Sequence, residues 1–204
     1  MTVALGARQL DRTIQDARRS EVIAELADEL YRSPDAPVVG NKQGDVPVVA
    51  FVDYNSPNSR ADAPVLAKLI ANDGNVRLVV KVLPGLDRSS EGVARVALAA
   101  VRQGKYPELH DALFATKGRL NKTKALDLAA GIGLDRTQLE KDILDRKIAN
   151  TLAVNKRVAT RLGVKGVPFY LVGDVVLHEG PDDLYSELTE NVADIRENGC
   201  QAKC

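Results

Sequence analysis

Few residues in this chain have a type and spacing that suggest chemistry. Ser56-Pro57-Asn58-Ser59 places two hydroxyls three residues apart at the start of a helical pattern. Serine before proline is a helix-opening signature, because the serine oxygen accepts an orphan N–H and proline suits the first helical position. Nucleophilic use of Ser56 would require a general base, and no Gly-x-Ser-x-Gly elbow occurs. The only cysteines, Cys200 and Cys204, fall within the last five residues. On a helix their Cα atoms would stand about 6 Å apart, near the limit for a disulfide, so a tail disulfide and two free thiols both stay open. Zinc normally takes four ligands, and the two histidines, His110 and His178, have no partner nearby in sequence. No metal or cofactor site is therefore expected. Asp53 ends a predicted strand close to Ser56, where a solvated acid is the expectation.

The elements that must position these residues follow from periodicity. Val46 to Val52 is an apolar, β-branched run suited to a buried strand. A helix follows Pro57 through Ala61, Leu66, Leu69 and Ile70 and stops at Asn72-Asp73-Gly74. Val76 to Leu83, alternating around Arg77 and Lys81, is a second strand, giving a right-handed β-α-β unit. From Asp87 to about Leu162 the pattern is helical and punctuated by glycine; His110 lies on one of its amphipathic faces, in a packing role. Val167 to Val172 is a strand, Gly173-Asp174 a hairpin turn, Val175 to His178 its partner, and Pro181 opens a last helix.

Ahead of this body, Arg8 to Tyr31 reads as helix in two pieces, the second capped by Ser20, with Ile23, Leu26, Ala27 and Leu30 forming an apolar stripe. That stripe is suited to packing on the body or to homo-oligomerisation. The expected organisation is a helical extension over 1–32, a linker over 33–46, a core over 47–86 and 163–196, a helical insert over 87–162, and a tail over 197–204.

Composition sets further bounds. Lys and Arg total 28 against 28 Asp and Glu, without the basic excess expected of a nucleic-acid binder. No apolar run approaches the roughly 20 residues that span a membrane. The start, Met1-Thr2-Val3-Ala4-Leu5-Gly6, lacks the zones of a secretory signal, which leaves a cytoplasmic protein or one read without its signal. The hydrophobic content of 45% supports a real core, and the absence of Trp leaves it to aliphatic residues.

Phe51-Val52-Asp53-Tyr54-Asn55-Ser56-Pro57-Asn58-Ser59-Arg60 resembles the active-site segment of DsbA-like proteins, Phe-x-Asp-Tyr-x-Cys-Pro-x-Cys-Lys/Arg, with serine at both cysteine positions. Gln103-Gly104-Lys105-Tyr106 and His110-Asp111-Ala112-Leu113-Phe114 are similar to that family's helical insert. Gly166-Val167-Pro168 with Val172-Gly173-Asp174 resembles its cis-proline loop and hairpin. The N-terminal helices with Asp35 to Asn41 look like the branch that includes the suppressor-of-copper-sensitivity proteins.

The resemblance implies a thioredoxin-like α/β fold with an all-helical insert and an N-terminal helical extension. It also implies a periplasmic thiol-disulfide exchange family acting on protein or peptide clients. Ser56 and Ser59 then occupy the catalytic positions, and Pro57, Asn58, Val167 and Pro168 the client-binding surface, with Pro168 cis. A thiolate at a helix N-terminus is stabilised by the helix dipole and resolved by a second cysteine. A serine hydroxyl does neither, so the redox step is lost. The serines are either native to a redox-silent client binder or replacements made in an active oxidoreductase. A third reading is a kappa-class-like glutathione transferase, in which Ser56 would hydrogen-bond the glutathione thiolate and Gly180 to Leu184 would form its glycine-aspartate loop.

Overall fold

The computed structural model describes residues 18–85, 88–177, 183–202 and 204. Its centre is a five-stranded sheet made of β1 (Val38–Gly40), β2 (Val46–Val52), β3 (Val76–Val82), β4 (Phe169–Val172) and β5 (Val175–Val176), in the order β1-β3-β2-β4-β5. β2 and β3 run parallel, and β1 and β4 join antiparallel on either side of that pair. All seven residues of β2 are buried, which is why it reads as a continuous apolar run rather than an alternating one.

The two faces of β2 pack on different layers. Val46, Val48, Ala50 and Val52 face a cluster shared with α2 (Pro57–Asn72), α8 (Leu184–Asn198) and the helical insert. Val49 and Phe51 face a second cluster, shared with α1 (residues 18–32) and α7 (Arg146–Arg161). The insert is α3 (Arg88–Ala100), a 3-10 turn (Val101–Gln103), α4 (Tyr106–Ala115), α5 (Lys122–Gly131), α6 (Arg136–Asp142) and α7. Side-chain oxygens of Asn121, Asp135 and Asp145 cap the last three at their N-termini.

Three expectations are corrected here. Residues 18–20 are already helical, so Ser20 does not start a new helix; packing of the apolar stripe carries the helix through a residue that would otherwise favour a cap. The presumed linker contains β1, whose three residues pair with Arg77 to Val79, a strand too short to stand out among its flanking turn formers. The last helix begins at Leu184 with Asp183 as its cap; Pro181 and His178 lie outside the described residues, as does the helix expected before Arg18.

The N-terminal helix is a layer of the body. Ile23, Leu26, Ala27, Leu30 and Tyr31 are buried against the sheet and α7. Its last turn is a π-helix, Asp28–Arg32, and the carbonyls left open there need donors. β3 supplies them: Arg77 donates to the Tyr31 carbonyl at 2.7 Å, and Lys81 donates to that of Glu29. The cations that interrupt β3 in sequence thus cap a helix packed on its face. At the far end of the sheet, Tyr31 donates to the Gly173 carbonyl at 2.9 Å. Cys200 and Cys204 form a disulfide with Cα atoms 5.9 Å apart, and the Ala202 N–H between them donates to Asp174 at 2.9 Å.

Lys81 is 3% exposed, and burial pushes its ammonium down from 10.5 to about 8, against the opposing pull of the Glu29 carboxylate. Between those values the unfolded chain keeps a proton that the folded chain has released, so this lysine makes stability rise with pH. Measured by denaturant unfolding, the wild type should gain on the order of 2 kcal/mol relative to Lys81→Met between pH 8 and pH 10.5. Below pH 8 the difference should be flat. Parallel curves through that window would contradict the assignment.

Candidate functional site

The site forms where β2 ends. A chain that leaves a fully buried strand and immediately starts a helix must find partners for its polar groups without water. Asp53 follows Val52, and the Ser56 N–H returns to the Asp53 carbonyl at 2.9 Å. Ser56 has extended backbone and caps α2: its Oγ accepts the Ser59 N–H at 3.3 Å, with Pro57 at the first helical position. The Ser59 Oγ in turn accepts the Asp53 N–H at 3.4 Å. The two serines are thus joined through the helix-start backbone. Ser56 is 5% and Ser59 1% exposed.

The other wall comes from β4. Pairing of Phe51 with Phe169 brings the preceding Val167-Pro168 beside the end of β2, and the peptide bond between them is cis. The Ser56 hydroxyl donates to the Val167 carbonyl at 3.3 Å. Tyr170, two residues beyond Pro168, donates to Asp62 of α2 at 3.0 Å, a second tie between that loop and the helix. Burial raises the Asp62 carboxyl, and the Tyr170 hydrogen bond opposes the rise. Pro57 and Asn58 are exposed, while Val167 and Pro168 are half-buried. The six residues singled out from sequence are therefore contiguous in chain or in space, with the serine pair beneath and the other four forming the accessible rim.

Asp53 is not solvated. It is 1% exposed, and its carboxylate accepts the Asn55 N–H at 2.9 Å and the Gly85 N–H at 3.2 Å. Sequence reasoning also passed over Tyr54, Asn55 and Arg60, which bolt this segment to the insert. The Asn55 carboxamide exchanges two hydrogen bonds with the Leu120 backbone, 2.8 and 3.1 Å. Arg60 donates to the carbonyls of Tyr54 and Thr116, 2.6 and 2.5 Å. Tyr54 meets Tyr106 at 2.8 Å and His110 Nδ1 at 3.0 Å, all buried. Burial raises both phenols and holds His110 down at about 4. His110 thus has a packing and hydrogen-bonding role.

Chemically, the Ser56 hydroxyl is committed to two backbone groups, and no titratable side chain is bonded to it. Among the described residues no general base is bonded to it, and a serine hydroxyl does not ionise near neutral pH. What the site offers is a helix N-terminus, an exposed proline-asparagine rim and a cis-proline loop that runs into β4.

This combination defines a thioredoxin-fold protein whose sheet is interrupted by a helical insert. The DSBA-like thioredoxin domain matches residues 47–188, and the chain belongs to that family. A thioredoxin-like oxidoreductase from Silicibacter pomeroyi is 38% identical, with a TM-score of 0.78 over 83% of this chain and 97% of that one. The thiol-disulfide exchange protein alpha-DsbA2 from Wolbachia pipientis is 27% identical, with a TM-score of 0.80 over 89% and 98%. The catalytic domain of Proteus mirabilis ScsC is 26% identical, with a TM-score of 0.75 over 86% and 97%. Among curated relatives, the Na(+)/H(+) antiporter NhaA 3 of Salinispora tropica is 30% identical over 146 residues, which is 71% of this chain. The chain spans only about a fifth of the length of the curated antiporters it matches, 22% in that case.

Two outcomes check this geometry. Ser56→Ala removes the α2 cap and should cost about 1 kcal/mol in unfolding free energy, read from the denaturant midpoint with an unchanged m-value; no loss would mean that the cap is not formed. His110 should remain neutral in the folded protein from pH 8 to 5, below its usual 6.5. Unfolded chain protonates in that range and folded chain does not, so this residue's contribution to stability falls as pH drops from 6.5 toward 4. Nitrogen chemical shifts of the ring report its state, and titration near 6.5 would contradict the buried cluster.

Proposed function

We propose that this protein is a redox-silent member of the DsbA-like family that binds extended protein or peptide segments at its cis-proline loop. The observation that carries the reading is the contact of the Ser56 hydroxyl with the Val167 carbonyl at 3.3 Å beside the cis bond. A dithiol site is reproduced in outline, with oxygen where sulfur would react. A hydroxyl forms no disulfide, so no mixed disulfide with a client forms here and none is resolved.

The accessible rim of Pro57, Asn58, Val167 and Pro168 supplies the client surface. Main-chain groups of the loop that leads into β4 are the means of recognising a strand-like peptide. Balanced charge argues for clients other than nucleic acid. The Cys200–Cys204 disulfide and the family's resemblance to periplasmic oxidoreductases favour an oxidising compartment, the periplasm. The apolar stripe of α1 packs inside the molecule, so any homo-oligomer uses other surfaces.

The deciding experiment restores sulfur with Ser56→Cys together with Ser59→Cys. The parent chain should show no insulin reduction and no oxidative refolding of a reduced protein, whereas the double variant should gain both. A double variant that folds yet stays inert would overturn the exchange-site reading. Saturable glutathione binding by the parent chain in a calorimetric titration would replace it with the transferase reading.

A further inference from the structure

Between α2, α4 and the β1–β3 edge of the sheet lies a cavity of about 250 Å³, on the seam where the helical insert meets the core. Val39 and Leu78 of the sheet form its floor; Ala63, Ile70 and Phe114 form apolar walls. Arg60, His110 and Asp111 also line it. An apolar pocket with a few convergent polar groups is the usual form of a small-molecule site.

The polar groups specify the ligand. Arg60 spends Nε and Nη1 on the carbonyls of Tyr54 and Thr116. Its Nη2 is buried with no hydrogen-bond partner among the described residues. Its two partners are carbonyl dipoles, and among the described residues no carboxylate pairs with this partly buried guanidinium. His110 contributes a second donor. Its Nδ1 sits 3.0 Å from the Tyr54 hydroxyl and 3.2 Å from that of Tyr106, which are 2.8 Å from each other. One hydroxyl donating to the other, and the second to Nδ1, uses both phenolic protons only when Nδ1 is the acceptor. The ring proton then resides on Nε2. Asp111, an exposed residue on the same lining, has its carboxyl raised by desolvation and by Glu108.

We infer that this cavity binds a small apolar monocarboxylate, with the carboxylate accepting from Arg60 and His110 and a single ring or short alkyl chain on the apolar walls. The site is separate from the serine pair and does not depend on whether that pair engages clients.

The test uses the whole chain, with benzoate and hexanoate as probes and benzyl alcohol and benzylamine as controls. Binding is followed by amide NMR shifts of residues 60–70 and 110–115. Both carboxylates should give saturable shifts in the millimolar range or tighter, and the controls should bind at least about tenfold more weakly, a difference of about 1.4 kcal/mol. Ala63→Leu, which fills the cavity and leaves Arg60 untouched, should abolish the response. Arg60→Lys should weaken the carboxylates about tenfold while leaving benzyl alcohol unchanged. Carboxylates that bind no better than benzyl alcohol, or shifts that survive Ala63→Leu, would overturn the proposal. Should Arg60→Lys fail to fold, the cavity-filling variant decides alone.

Discussion

The structure depends on satisfying the largely buried turn from Asp53 to Ser56, where strand becomes helix. Backbone N–H and C=O groups removed from water must be paired, and here side chains do much of the pairing. Asp53 takes two N–H groups, Asn55 pairs with the Leu120 backbone in both directions, and Arg60 ties two carbonyls together. Because Leu120 and Thr116 belong to the insert, the same bonds that complete the turn also fix the insert on the core. The start of α2 is held in place by these bonds, and so is everything that faces it.

None of that scaffolding requires sulfur. At the N-terminus of α2, partial positive charge and unpaired N–H groups would favour an anion, which is why such a position suits a reactive thiolate. Serine uses the same feature as a neutral cap. Its oxygen accepts one N–H and its proton goes to the cis-proline loop. Cap and loop contact are geometric roles that a hydroxyl fills, so the local fold holds with oxygen at this position.

Much of this was legible in the letters. β2 was marked at both ends, because a fully buried parallel strand has to be a continuous β-branched run, and α2 was marked by Ser56-Pro57 and by its stop near Asn72. The serine pair and the cis-proline loop were found through motif order, and the sheet register brought them together. What escaped was set by tertiary partners. β1 is a strand only because β3 offers it an edge. Asp53 is buried with its carboxylate held partly by the Gly85 N–H, 32 residues away, which no local pattern announces. The roles of Arg77 and Lys81 look like strand alternation in one dimension and become helix caps only when α1 lies across them.

The position of the chain's only cysteines bears on the same chemistry. The Gly173 N–H bonds to the Pro47 carbonyl at 2.8 Å, so the β4–β5 turn sits at the start of β2, and Asp174 of that turn holds the tail through Ala202. Ser56 follows the other end of β2. Seven extended residues separate the two ends, a distance of about 20 Å at the rise of a strand. The tail is anchored on a disulfide, a buried alanine and a hydrogen bond, and it contributes to the cluster beneath α1. Cys200 and Cys204 therefore cannot stand in for the sulfur missing at Ser56 and Ser59 while the fold is intact. They staple the end of the sheet farthest from the site.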